Sequence, residues 1–107
     1  MQFVKYSSQG YRETVPGVMM RPLAHGDKTN MVENHVKGGS VHSFHSHPYE
    51  QTGYLLSGRT RLTIEGSKYD VAPGDSWCVP SGLEHQMEIF EDSVIVEVFS
   101  PVREEYL

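Results

Sequence analysis

Apolar residues along this 107-residue chain recur in short runs with a period of two, and helical spacing is almost absent. The alternation predicts strands near Val18–Leu23, Met31–Val36, Val41–Ser46, Gln51–Leu56, Thr60–Glu65, Lys68–Val71, Asp75–Val79, Glu84–Phe90 and Ser93–Ser100. Gly and Pro punctuate the runs at Gly38-Gly39, Ser57-Gly58, Gly66-Ser67, Pro73-Gly74 and Pro80-Ser81-Gly82. Glu91-Asp92 reads as a polar hairpin turn between the last two strands. The first ~15 residues read as irregular, packing over a barrel end or a partner. No linker or repeat divides the chain, so the expected fold is one all-β domain over 1–107, a sandwich or barrel.

One strand carries more information than its period. Along Ser93–Ser100, Val94, Val96 and Val98 share one face, while Ile95 and Phe99 share the other. A strand solvated on one side alternates with polar residues, so both of these faces need a cover. A second sheet covers one and a second subunit covers the other, which predicts a homodimer.

Charge and composition narrow the partners. The formal net charge of -5 disfavours nucleic acid, which needs a basic face. Hydrophobic residues make up 37%, which suits a globular chain. No apolar stretch approaches the length of a membrane span, and no apolar signal segment follows Met1. The lone Cys78 lies in an apolar strand and reads as a buried, inert thiol. A reducing, cytoplasmic setting is the expectation.

The chemistry concentrates in Gly39 to Gly58. His45 and His47 are two apart and share a strand face; Gln51 has the same parity, whereas Glu50 points the other way. This parity selects Gln51 as the third ligand. His85 comes from a later strand, with Met87 and Ile89 on its face. A barrel can bring His85 opposite the first three. Three imidazoles and one amide oxygen suit one divalent transition metal ion (Mn, Fe, Ni, Co or Zn) without selecting among them. His42 differs in parity from His45 and reads as a rim residue or one that contacts the ligands without touching the metal, or as a solvated one. Gly53 leaves space beside the metal, and Trp77 reads as a packing aromatic.

These residues resemble the two motifs of the cupin superfamily. Gly39, His45, His47 and Gly58 match G-x5-H-x-H-x3,4-E-x6-G over 39–58, with Gln51 at the Glu position. Gly74, Pro80, Gly82 and His85 match G-x5-P-x-G-x2-H-x3-N over 74–89, with Ile89 at the terminal Asn. The resemblance implies a single-domain, jelly-roll-type antiparallel β-barrel with a metal at its centre. Gln51 in place of Glu makes the ligand set formally neutral. That leaves the cation more electrophilic and favours Lewis-acid chemistry over oxygen activation.

The last strand adds two candidate catalytic residues. Glu97 sits between Ile95 and Phe99, where a lone acid is costly to bury unless it is paired or used. If that face lines the barrel, Glu97 is a general acid/base and Arg103 clamps a substrate carboxylate. If the face is reversed, Glu97 is solvated and Arg103 forms a surface ion pair. This tail, with His45-Ser46-His47-Pro48-Tyr49-Glu50-Gln51 upstream, is similar to the small cupins of pectin degradation that linearise unsaturated uronates. In that group an acid and an arginine flank an F-S/T-P segment, and Glu97 and Arg103 fall on those positions; Glu97 stands where the group typically has Asp. The resemblance implies a metal-dependent enzyme for a small sugar acid, turning a 4,5-unsaturated uronate into its open-chain keto form. A metal-dependent dioxygenase or other oxidoreductase, and a non-catalytic small-molecule-binding cupin, are the alternatives.

Overall fold

The computed structural model describes residues 1–107. Eight strands form in chain order: β1 Arg12–Val15, β2 Val18–His25, β3 Asn30–Val36, β4 Val41–His45, β5 Glu50–Ile64, β6 Ser67–Val71, β7 Ser76–Val79 and β8 His85–Ser100. A short 3-10 turn, Glu104–Tyr106, ends the chain. Every strand pairing is antiparallel.

The long strands β5 and β8 organise the rest. They pair with each other from Glu50↔Ser100 to Ile64↔His85, with three register shifts between Leu55 and Thr60. Bulges of this kind sharpen twist and bend a strand pair. On one side of the bend, β8 carries β3, β2 and β1 while β5 carries β7. On the other side, β8 carries β4 and β5 carries β6. One continuous sheet thus folds over itself into two layers, the jelly-roll-type all-β barrel that the family resemblance implies.

The bend replaces two expected turns. Ser57-Gly58 lies within β5, and Glu91-Asp92 lies within β8. Gly58 has φ of 103°, and a Cβ there would collide with the Ser93 side chain, so only glycine lets the two strands cross so closely. Within the segment expected to be irregular, Arg12–Val15 pairs with β2.

The interior follows parity. Val18, Val36, Leu55 and Ile95 from one layer pack with Leu62, Val71, Met87 and Ile89 from the other. Met20, Val32 and Phe99 form a second buried cluster, with Tyr49 and Tyr106 against it. Cys78 departs from expectation. It is exposed, because Val79 takes the inward position and Cys78 the opposite one, across from Thr52. Burial of the strand as a whole does not bury both of its faces.

Candidate metal centre and its cavity

The two layers bring the expected ligands together. His45 ends β4 and pairs directly with His85 at the start of β8. His47 follows two residues later, and Gln51 enters β5. His45, His47 and His85 offer one ligand nitrogen each, all within 4.8 Å of one another. Glu50 is exposed and Gln51 buried, so the extended backbone through Pro48 keeps the expected parity.

The backbone sets which nitrogen is free. His45 Nδ1 donates to Ser43 O at 2.8 Å, His47 Nδ1 to Tyr49 O at 3.1 Å, and His85 Nδ1 to Leu83 O at 3.0 Å. A carbonyl only accepts, so each ring carries its proton on Nδ1 and presents the lone pair of Nε2. Burial holds the His47 and His85 rings below the usual imidazole pKa, which keeps them neutral and ready to ligate. The Gln51 Oε1 atom lies 2.8 Å from His47 Nε2. This donor set of three neutral imidazoles and one amide oxygen fits a divalent transition metal ion.

The cluster opens on a cavity of about 500 Å³. Glu97 and Arg103 line it with His45, Gln51 and His85. Glu97 therefore faces inward, in the register row Val32–Glu97–Gly53. Burial pushes its carboxyl up to about 7, against the opposing pull of the Asn34 hydrogen bond and the Arg103 charge. The Asn34 amide donates to Glu97 Oε1. Arg103 lines the cavity and also makes an ion pair. Its Nε pairs with Glu105 at 2.7 Å, while its guanidinium carbon packs 4.1 Å from the Tyr106 ring centre and 5.0 Å from that of Phe99. The Arg103 N–H also donates to Asn30 Oδ1 at 2.7 Å, tying the tail to β3.

Three placements differ from the sequence reading. His42 lines the cavity, and it does so because of a bulge. It pairs with Met87 while His45 pairs with His85, so three residues of β4 span two of β8. The extra residue reverses the parity and turns both rings inward. Trp77 also lines the cavity, beyond its packing role. Finally, the space above Gly53 is filled by the Trp77 indole, which a Cβ at Gly53 would strike. Sequence reasoning also missed Asn34. The signal was present: Asn30 and Asn34 hold the inward parity of β3 beside Val32 and Val36. His25 and His35 lie elsewhere, with Gln2 and with Tyr11 and Glu33.

Comparison with known proteins agrees with this geometry. The Cupin_2 (Cupin domain) family matches residues 32–100, and the chain belongs to the cupin family. The pectin degradation protein KdgF of Dickeya dadantii is 27% identical, over 91% of this chain and 90% of that protein. The solved structure of KdgF from Halomonas sp. is 28% identical with a TM-score of 0.91, covering 99% of this chain and 100% of that one. Oxalate decarboxylase OxdC of Bacillus subtilis is 31% identical over 70% of this chain, but this chain spans only 21% of that enzyme.

Proposed function

We propose that this cupin is a metal-dependent enzyme that linearises a 4,5-unsaturated uronate to its open-chain keto form. One observation carries the reading: an inward acid of near-neutral pKa, an arginine and a three-histidine cluster line or border a single cavity. The likeness to two KdgF proteins over nearly the whole chain supports the pectin-derived substrate class.

The reaction is an isomerisation. The anomeric hydroxyl loses its proton, the bond from C1 to the ring oxygen breaks, and C4 gains a proton as C5 becomes a ketone. No atom is lost and no oxidant is needed. His45, His47, Gln51 and His85 would hold the metal, which supplies Lewis-acid polarisation of substrate oxygens. Arg103 binds the substrate carboxylate; its stacking on Phe99 and Tyr106 limits the orientations of its planar fork. Glu97 moves the proton. A carboxyl near pH 7 is matched to both giving and taking one. Asn34 holds that carboxyl by one oxygen and leaves the other for the substrate.

The test is an ultraviolet assay of 4,5-unsaturated galacturonate with metal-loaded and chelator-treated protein. Metal-dependent loss of the unsaturated chromophore is expected. Retention of the chromophore by protein with confirmed bound metal would remove the uronate assignment.

A further inference from the structure

The chain beyond Pro101 folds back against the cavity that it helps to line. The Arg103 N–H donates to Asn30 Oδ1 at 2.7 Å, and the 3-10 turn Glu104–Tyr106 closes with the Tyr106 N–H on Arg103 O at 3.0 Å. This turn brings the Glu105 carboxylate alongside the Arg103 side chain, where Oε1 accepts from Arg103 Nε at 2.7 Å. Glu105 is itself held from two sides. The Tyr49 hydroxyl donates to its Oε2 at 3.4 Å, and Arg12 Nη2 of β1 donates to its backbone carbonyl at 2.6 Å. Neither the proton transfer nor the metal centre uses Glu105.

Stability does not explain this arrangement. The Glu105 side chain is 53% exposed, and an ion pair so open to water contributes little. What the pair fixes is a direction. The Arg103 guanidinium carbon lies 4.1, 5.0 and 5.4 Å from the ring centres of Tyr106, Phe99 and Tyr49. Such contacts keep the guanidinium among the rings but leave it free to turn within its own plane. A bond at Nε removes that freedom, because the five N–H donors are rigidly spaced in one plane. Glu105 occupies Nε alone, while Nη1 and Nη2 make no hydrogen bond within the chain. The Arg103 side chain is only 18% exposed and lines the cavity. Its charge is felt by Glu97, His47 and His85 together, as expected of a group standing at the metal end of that cavity.

We propose that Glu105 is a positioning residue, which fixes the Arg103 guanidinium through Nε and leaves Nη1 and Nη2 as the pair that receives a substrate carboxylate. This deepens the uronate reading and rests on it for that carboxylate. Two parallel N–H donors match the two oxygens of a carboxylate, and a fork oriented before binding loses less freedom when the substrate arrives. Glu105 does not line the cavity, so it touches no substrate and acts only through Arg103. Arg12 and Tyr49 stand one step further out, holding Glu105. A carboxylate that competed with substrate for Arg103 would have the opposite effect, because its removal would tighten substrate binding.

Nitrogen-15 NMR of the arginine side chains reads the pair without any substrate. The Arg103 Nε–H signal is assigned by its loss in Arg103→Lys. It should exchange slowly with water in the unmodified protein and fast in Glu105→Ala, with partial protection in Glu105→Gln, which keeps an acceptor oxygen. An Arg103 Nε–H signal unchanged in Glu105→Ala would overturn the proposal. In metal-loaded protein, Glu105→Ala should raise KM for 4,5-unsaturated galacturonate about ten-fold, with kcat within about two-fold and Tm unchanged. Glu105→Gln should recover most of that loss. Added to Arg103→Ala, Glu105→Ala should change KM no further, since nothing is left to position. A further rise in that background, or an unchanged or lower KM in Glu105→Ala alone, would overturn the proposal and leave the activity standing. Calorimetry with D-galacturonate covers the case of no turnover. Binding weakened in Glu105→Ala would then support the positioning role while removing the linearisation activity. Equal binding by both proteins, or by neither, would overturn the role.

Discussion

Gln51 Oε1 faces His47 Nε2 at 2.8 Å although the His47 proton is committed to Tyr49 O on the other side of the ring. Two lone pairs at that separation repel unless something positive lies between them. In the metal-free chain, protonation of His47 or reversal of the amide satisfies the pair. Burial opposes the first of these. A cation held by both atoms would resolve the conflict, as the proposed metal site requires.

Metal loading should therefore stabilise the fold. At metal concentrations 100 times Kd, linkage contributes about 2.7 kcal/mol, a rise in Tm on the order of 10 °C for a domain of this size. Differential scanning calorimetry with and without chelator checks it. His85→Ala should lose stoichiometric metal by elemental analysis and lose the Tm response with it. A full Tm response in His85→Ala would exclude the centre.

Glu97 gives a stability signature with a definite sign. Its folded pKa of about 7 lies above the ordinary 4.5, so the folded chain holds one more proton than the unfolded chain between those values. The stability this contributes is complete below about pH 4.5 and is lost as pH rises to about 7. The shift corresponds to at most about 3 kcal/mol, less for the part of the carboxyl open to the cavity. His42, His47 and His85 have lowered pKa values and run the other way, losing stability as pH falls. Urea unfolding of chelator-treated Glu97→Gln and unmodified protein at pH 5 and pH 8 separates them, because the histidine contribution is common to both. Glu97→Gln should gain stability relative to the unmodified chain at pH 8. Its kcat should fall about 100-fold or more.

Arg103→Ala should raise KM for the unsaturated uronate by about ten- to a hundred-fold, the effect of removing one charged hydrogen-bonding partner. Arg103→Lys should not restore it. A lysine ammonium supplies the charge but neither the planar fork nor the stacking on Tyr106 and Phe99. Steady-state kinetics of both variants decide the matter, and recovery by lysine would reduce Arg103 to a point charge.

Gly53→Ala should cost about 1–3 kcal/mol, as overpacking does, because the added methyl displaces the Trp77 ring. Chemical denaturation gives the magnitude. A red shift of the single-tryptophan emission in the folded variant would show that the indole has moved toward solvent.

The outward face of the six-strand layer presents Met31, Tyr54 and Leu56, the last two each 47% exposed, beside the half-buried Val96 and Val98. A second subunit placed over this face gives the expected homodimer. Light scattering at micromolar concentration should report twice the mass of one chain, and Leu56→Asp should return a monomer. A monomeric unmodified protein would remove the prediction.

The period of two and the Gly and Pro breaks located most of the strands, the two histidine motifs carried the family, and the parity of His45, His47 and Gln51 put those three side chains on one face. These are local properties: a side chain two residues along an extended strand has only one face to occupy. Glu97 facing inward could be posed from its apolar neighbours but was decided by pairing with β3 and β5. What the sequence could not carry lies in register. The β4 bulge that turns His42 inward is a single register shift, and the bend that merges two predicted strand pairs into β5 and β8 is three, all between partners far apart in the chain. The Trp77 indole over Gly53 is likewise a contact between two strands that meet only after folding. Local alternation records which face a residue takes on its own strand; only the tertiary pairing decides how that strand is aligned with its neighbours, and the cavity is built from that alignment.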